Sequence, residues 1–247
     1  MKYFSIALFV IFGCTQKTND EDIIIINTEQ LGGGTEDLAK GIFVLNSLAP
    51  KVFAIDLWYS DENKKVDDEL INILKECKNL VIRSEIDGYA DRLEEYPRFK
   101  LGTLPKFIPL AKTGFATLIE EDDAFFTVKK FSSWEKVNGK MEYEFGVQMA
   151  MLFDSIKAAD FVKKHPKIND VNFHNGKKFK TFEINDVING RVKKEDIEGK
   201  IVLLGFFGPG FTDRLYSGAI KRGNGSFVPD MYSVEFHAHV ALQVLSE

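Results

Sequence analysis

Four consecutive isoleucines at 23–26 make an apolar run without alternation, the pattern of a strand covered on both faces. Leu38, Ile42 and Leu45, with Ala39 and Phe43 beside them, then recur at helical spacing and predict a helix over 35–48 that Pro50 ends. Residues 51–57 (KVFAIDL) read as a second buried strand, and Leu80-Val81-Ile82 as a third. Between these two strands, Leu70, Ile73, Leu74 and Cys77 predict an inward-facing helix over 67–78. Strand, helix, strand, helix, strand in this order implies parallel strands joined by right-handed crossovers.

The pattern weakens over 87–106, which reads as an irregular insertion. Residues 114–119 and 124–131 look like two strands, a hairpin across the acidic turn at 120–123. Phe145, Met149, Leu152, Ile156 and Ala159 share one stripe and predict a single long helix over 145–164. Val171-Asn172-Phe173 and residues 179–184 flank Asn175-Gly176, and both turn residues tolerate positive φ, so this segment reads as a β-hairpin. A short helical turn over 185–189, a last buried strand over 200–205 and a C-terminal helix over 233–245 complete the chain. With no internal repeat and no linker after Asp22, the expectation is one α/β domain over 23–247. Its central sheet is largely parallel and flanked by helices, with a β-hairpin extension.

The N-terminus has a different pattern. Met1-Lys2 is a short basic start, and residues 3–12 are apolar apart from Ser5. A membrane-crossing helix needs roughly 20 apolar residues, so this run has the length of a signal-peptide core. Ile11-Phe12-Gly13-Cys14 reads as a lipobox, with an aliphatic residue three positions before the cysteine and a small one just before it. The expectation is a lipoprotein signal peptide over 1–13, acylation at Cys14 (palmitate or a related chain) and a polar tether over 14–22. The protein then hangs from a membrane of the bacterial cell envelope, facing the periplasm or the exterior.

Composition narrows the partners. The chain of 247 residues carries a net charge of −5, and its lysines are scattered rather than striped. Phosphate backbones need clustered Lys and Arg, so nucleic acid is not an expected partner. Cys14 and Cys77 are the two cysteines. With Cys14 lipidated, Cys77 has no partner; a disulfide framework and a cysteine-based zinc site are both excluded, and Cys77 reads as a small hydrophobe at a helix end.

Candidate chemistry is sparse. Gly32-Gly33-Gly34 follows the first strand, where a phosphate cradle would lie. Glu36 and Asp37 in the next helical turn would repel a phosphate, and the P-loop and dinucleotide spacings are absent. A flexible turn with Thr35 as helix N-cap is the better account. Asp56 ends a buried strand, and Asp213 follows another through a loop bearing Gly205, Gly208 and Gly210. Ligand crevices of open α/β sheets lie outside the carboxyl ends of the strands, so the two carboxylates are candidates to face one cleft and hold a cation, an amine or a polyol. The alternative is that each caps a helix or pairs with a local arginine such as Arg214. A dehalogenase-type phosphatase would place a second aspartate two residues after Asp56, where Trp58 stands. His237 and His239, two apart on a helix, point about 200° apart and do not grip one ion. His165 and His174 carry no signal. No nucleophile elbow or zinc-protease motif occurs, and Ser226 has no base near it in sequence. Neither a metal nor a cofactor is expected.

A family resemblance rests on ordered motifs. Residues 199–213 (GKIVLLGFFGPGFTD), followed by 229–245 (PDMYSVEFHAHVALQVL), resemble the end of the second CHASE family, the extracellular sensory domains attached to cyclases and histidine kinases. The strand at 200–205, Asp213, and Val234, Phe236, His237 and Ala238 stand at the family's positions. The segment 50–60 (PKVFAIDLWYS) is similar to the family's "PKVIGID" strand, with Asp56 in the acidic place; Asn175-Gly176 and Asn185-Asp186-Val187 follow in order. The resemblance spans about 23–245. It implies a sensory domain, sets Asp56 and Asp213 at the family's acidic positions, and picks His237 as a hydrogen-bonding residue beside the cleft. Two departures stand out. Gly32-Gly33 replace an Asp-Arg or similar pair, and Ser233 replaces a glycine.

The expected function is therefore a non-enzymatic, lipid-anchored sensory or ligand-binding module without its own output domain. It would serve an unidentified small molecule or an envelope membrane protein. Two other readings are a scaffold or relic of a receptor ectodomain, and an envelope hydrolase using Asp56, Asp213 and His237.

Overall fold

The computed structural model describes residues 20–31, 35–57, 64–100, 105–174, 178–209, 213–218 and 229–247. The signal peptide, Cys14, most of the tether, Gly32-Gly33-Gly34, Trp58, Asn175-Gly176, Gly210 and Ser226 lie outside the described residues, as does the side chain of Thr35. In chain order the first elements are β1 (Ile23–Asn27), α1 (Thr35–Ser47), β2 (Val52–Ile55), α2 (Lys64–Glu76), β3 (Leu80–Asp87), β4 (Arg98–Lys100), β5 (Lys112–Phe115), β6 (Ile119–Glu120) and β7 (Val128–Ser132). There follow β8 (Trp134–Val137), β9 (Lys140–Tyr143), α3 (Phe145–Phe153), α4 (Ser155–Lys164), β10 (Ile168–Asp170), β11 (Lys180–Glu183), α5 (Ile184–Ile188) and α6 (Lys194–Ile197). The last are β12 (Ile201–Gly205), β13 (Arg214–Leu215), β14 (Met231–Tyr232) and α7 (Ser233–Ser246).

The central sheet runs β11-β1-β12-β2-β3, with β5 parallel to β3 and the short β4 antiparallel to β3's far end. β11, β1, β12, β2, β3 and β5 are all parallel. The four-isoleucine run sits near the centre of this sheet, and its side chains alternate between two cores. Ile24 and Ile26 pack with Leu38, Ile42 and Leu45 of α1, Leu70 and Leu74 of α2, and Ile184 and Val187 of α5. Ile23 and Ile25 pack with Phe145 and Met149 of α3, Phe161 of α4 and Val234, Ala238 and Ala241 of α7. All four isoleucines are fully buried, and each such burial is worth about 1.5–3 kcal/mol. The α/β class, the largely parallel sheet and its two helical layers are as the sequence predicts.

Three local expectations are corrected. The segments flanking Asn175-Gly176 do not pair with each other: residues 171–173 form no strand, β10 just before them joins β7 antiparallel in a small side sheet, and β11 joins β1 parallel in the central one. The hairpin extension is instead β8–β9, closed by Asn138 and Gly139 at φ 49° and 75°, the positive φ values that a two-residue hairpin turn requires. The long helix is broken at Asp154, whose backbone is extended (φ −145°) and whose carboxylate accepts the Lys157 N–H at 3.1 Å. The break turns Ile156 out of the expected stripe to 82% exposure and leaves Ala158 and Phe161 inward. Finally, the segment near 114 belongs to the central sheet as β5, and the side hairpin is formed by β6 and β7 across residues 121–127.

The order of strands sets up a crevice. β1 and β2 are followed by α1 and α2, which cover one side of the sheet, whereas β12, lying between them, leads to α7 on the other side. Chains diverging to opposite sides at adjacent strands leave an open space beyond the carboxyl ends.

A candidate ligand crevice at the carboxyl ends of the strands

Asp56 is the first residue beyond β2. Its N–H donates to the Leu204 carbonyl at 2.8 Å, holding it against β12, and its side chain is 1% exposed. A buried carboxylate needs a partner, which Arg83 of β3 supplies by donating Nη1–H to Asp56 Oδ1 at 2.9 Å. The guanidinium also reaches Glu85 at 3.4 Å. Alternation along β3 sets Arg83 on the same side as Val81, the side covered by α3 and α7.

Asp213 enters the same crevice from the loop after β12. It sits at φ 62°, a left-handed conformation that Asp and Asn tolerate better than most residues. Its carbonyl accepts the Ser233 N–H at 2.8 Å, tying the loop to the first residue of α7. Its carboxyl lies above the usual range because of partial desolvation; the Arg83 charge opposes this shift and the Asp56 charge adds to it. The two predicted carboxylates therefore sense one another around a shared guanidinium. No described group hydrogen-bonds to or pairs with the Asp213 carboxylate.

His237 has a different partner. Its Nδ1 lies 2.5 Å from Oε1 of Glu144, and the two side chains are 1% and 2% exposed. Glu144 also caps α3 by accepting the Val147 N–H at 3.0 Å. The His237 ring packs edge-on against Phe145 and Phe236, and its Nε2 is buried without a hydrogen bond. Gly146 allows this close approach of α3 to α7: a Cβ there would lie 2.5 Å from the His237 carbonyl oxygen.

The match to a family model, described as the CHASE2 domain, covers residues 20–247. The chain belongs to the CHASE2 family. No curated protein and no solved structure matches it. CHASE2 is a family of extracellular sensory domains, so a sensor outside the cytoplasm is the functional frame for this crevice. Among the described residues, no helix is long and apolar enough to cross a membrane, and no group of three His, Cys, Asp or Glu is placed to hold a metal.

Further polar residues of the CHASE2 domain brace the crevice. Asn27, at the end of β1, donates to both oxygens of Glu183 on β11 at 3.0 and 3.1 Å and accepts the N–H of Phe207 at 3.0 Å. Thr28 donates to the Gly205 carbonyl at 3.0 Å. Arg214 donates to the Tyr232 hydroxyl and lies over its ring at 4.7 Å, so it is not the partner of Asp56 or Asp213. Sequence reasoning passed over Arg83 and Glu144. Arg83 carried a signal, a charge inside the apolar strand LVIRSEI, which buries only if paired. Glu144 carried none, since glutamate is not among the preferred N-cap residues.

Proposed function

We propose that this CHASE2 domain is a lipid-anchored sensor of the bacterial envelope, tethered through Cys14, that receives a small molecule in the crevice formed by Asp56, Arg83 and Asp213. The observation that carries the reading is the Asp213 carboxylate, unpartnered among the described residues beside a buried Asp56–Arg83 pair at the strand where the chain switches sides. Two carboxylates around one guanidinium leave net negative charge, which suits an amine or a polyol with a cationic group. The hydrogen bond from Ser233 to Asp213 gives an occupant a direct mechanical contact with α7, and through α7 the domain would address a membrane protein of the envelope.

The test is a thermal-shift screen of the full-length chain against amino acids, sugars, polyamines, nucleotides and divalent cations. A ligand at about 100 times its Kd adds roughly 2.7 kcal/mol, which raises the midpoint of a domain this size by about 5–10 °C. The shift should vanish in Asp213→Asn, a change that removes the charge and keeps a residue tolerant of positive φ. A flat screen, or a shift indifferent to Asp213→Asn, would sink the reading. Labelling with radioactive palmitate, lost in Cys14→Ala, tests the anchor separately.

A further inference from the structure

A second concave surface lies away from the crevice, on the outer face of α1 and α2. It is a groove of about 730 Å³, within the range of small-molecule sites. Val44 of α1, Ile73 of α2 and Ile188 of α5 form its apolar lining, and Phe43 stands in it at 63% exposure. The core stripe of α1 is already supplied by Leu38, Ala39, Ile42 and Leu45, so the fold makes no use of the Phe43 ring.

The charges of the groove are not symmetric. Away from the helix C-termini the lining holds Lys40, engaged by Asp37 at 3.3 Å, and Glu69. At one end α1 and α2 both finish, and Asn46 of α1 donates to the carbonyl of Glu76, the last residue of α2, at 3.3 Å. Helix C-termini carry partial negative charge and favour cations. Glu76 adds a full negative charge there and has no ion pair with a described side chain. That end is therefore an apolar recess closed by a carboxylate and two helix C-termini.

We propose that this groove is a second ligand site, independent of the crevice, which takes a small organic ammonium with an apolar body. The body lies on Phe43, Val44 and Ile73, and the ammonium sits at the Glu76 end. The same charge disfavours carboxylates and fatty acids of equal shape.

The test titrates the full-length chain with 2-phenylethylammonium, the neutral 2-phenylethanol and the anionic 3-phenylpropionate by calorimetry. The ammonium should saturate and bind at least about fivefold tighter than either analogue, and Glu76→Gln should remove most of that preference. Phe43→Ser should weaken the ammonium and the alcohol alike, and Asp213→Asn should change neither. Glu76 and Phe43 are exposed, so these variants fold. Equal affinity for alcohol and ammonium, no saturable binding, or binding lost in Asp213→Asn and kept in Glu76→Gln would each overturn the proposal. The last of these would assign the ammonium to the crevice instead.

Discussion

The two sides of the sheet solve the same packing problem with different materials. Under α1, α2 and α5 the core is aliphatic with Phe53 and Phe107, and Asp67, in the first turns of α2, is the fully buried acid on those helices among the described residues. Under α3, α4 and α7 the core holds Glu144, His237, His239 and Gln243 among its apolar side chains, and Asp56 and Arg83 at its upper edge. Burying such groups costs stability unless each finds a partner. The polar groups therefore mark the side where the sequence serves something besides stability. That side includes α7, the helix to which the Asp213 loop is hydrogen-bonded.

The largest test of this contrast is Glu144→Ala. It strips His237 of its partner and leaves the Val147 N–H uncapped, both in a dry interior. A loss of about 3–5 kcal/mol in urea unfolding is expected. If the polar side is kept for function, the double change Glu144→Leu, His237→Phe should recover much of that loss, because replacing both partners of a buried polar pair by apolar groups of similar shape is often nearly neutral. A loss under 1 kcal/mol for Glu144→Ala would erase the distinction between the two sides.

His239 gives the contrast a pH signature. Burial, and then the neighbouring His174, push its pKa down from 6.5 to about 4. The unfolded chain takes up this proton first, so stability is fully present above about pH 6.5 and falls as the pH drops toward 4, by up to about 3 kcal/mol. Raised carboxyls at Glu142 and Glu235, both shifted mainly by desolvation, act in the opposite sense at the lower end of the range. The informative quantity is therefore the difference between wild type and His239→Phe, which should lose the histidine slope. Parallel curves for the two proteins would show that the ring is not held neutral.

Arg83→Met probes the edge of the polar side. Asp56 would stay buried with its partner gone, and because Arg83 is itself partly exposed, a loss of about 2 kcal/mol is expected. Arg83 opposes the upward shift of Asp213, so carbon-13 NMR titration should find the Asp213 carboxyl protonating at still higher pH in the variant. An unchanged titration would separate Asp213 from the crevice.

What was legible in the sequence follows the same division. β1, β2, β3 and β12 were readable because strands buried on both faces are written as continuous apolar runs, and α1 and α2 because their core stripes keep helical spacing. Pairings were not readable. Of the four Asn-Gly steps in the sequence, the one that closes a described hairpin is Asn138-Gly139, where Trp134–Val137 and Lys140–Tyr143 are both free to pair. Near Asn175-Gly176, β1 and β7 offered the flanking strands other partners. At the site, Asp56 and Asp213 stood out as acids after buried strands, whereas Arg83 depended on which residue lies 27 positions on and across the sheet. His237 was singled out by its place in the family's motif, but its partner Glu144 lies 93 positions away.

The break at Asp154 allows the smallest and most local test. The apolar stripe over 145–164 favours one continuous helix, and the Asp154 carboxylate favours two by capping α4 at the Lys157 N–H. Loss of an N-cap costs about 1 kcal/mol, so Asp154→Ala should destabilise by that amount if the cap decides the geometry. Packing acts on the broken form too, since Ala158 and Phe161 of α4 are buried in the core shared with α7. A continuous helix would carry Ile156 inward instead. Stability that stays level or rises in Asp154→Ala, together with loss of solvent exposure at position 156 in a cysteine-labelling assay on Ile156→Cys, would show that the chain prefers the straight helix and that one carboxylate holds it bent. A loss of about 1 kcal/mol with position 156 still exposed would show that α7 packing fixes the bend and Asp154 only stabilises its edge.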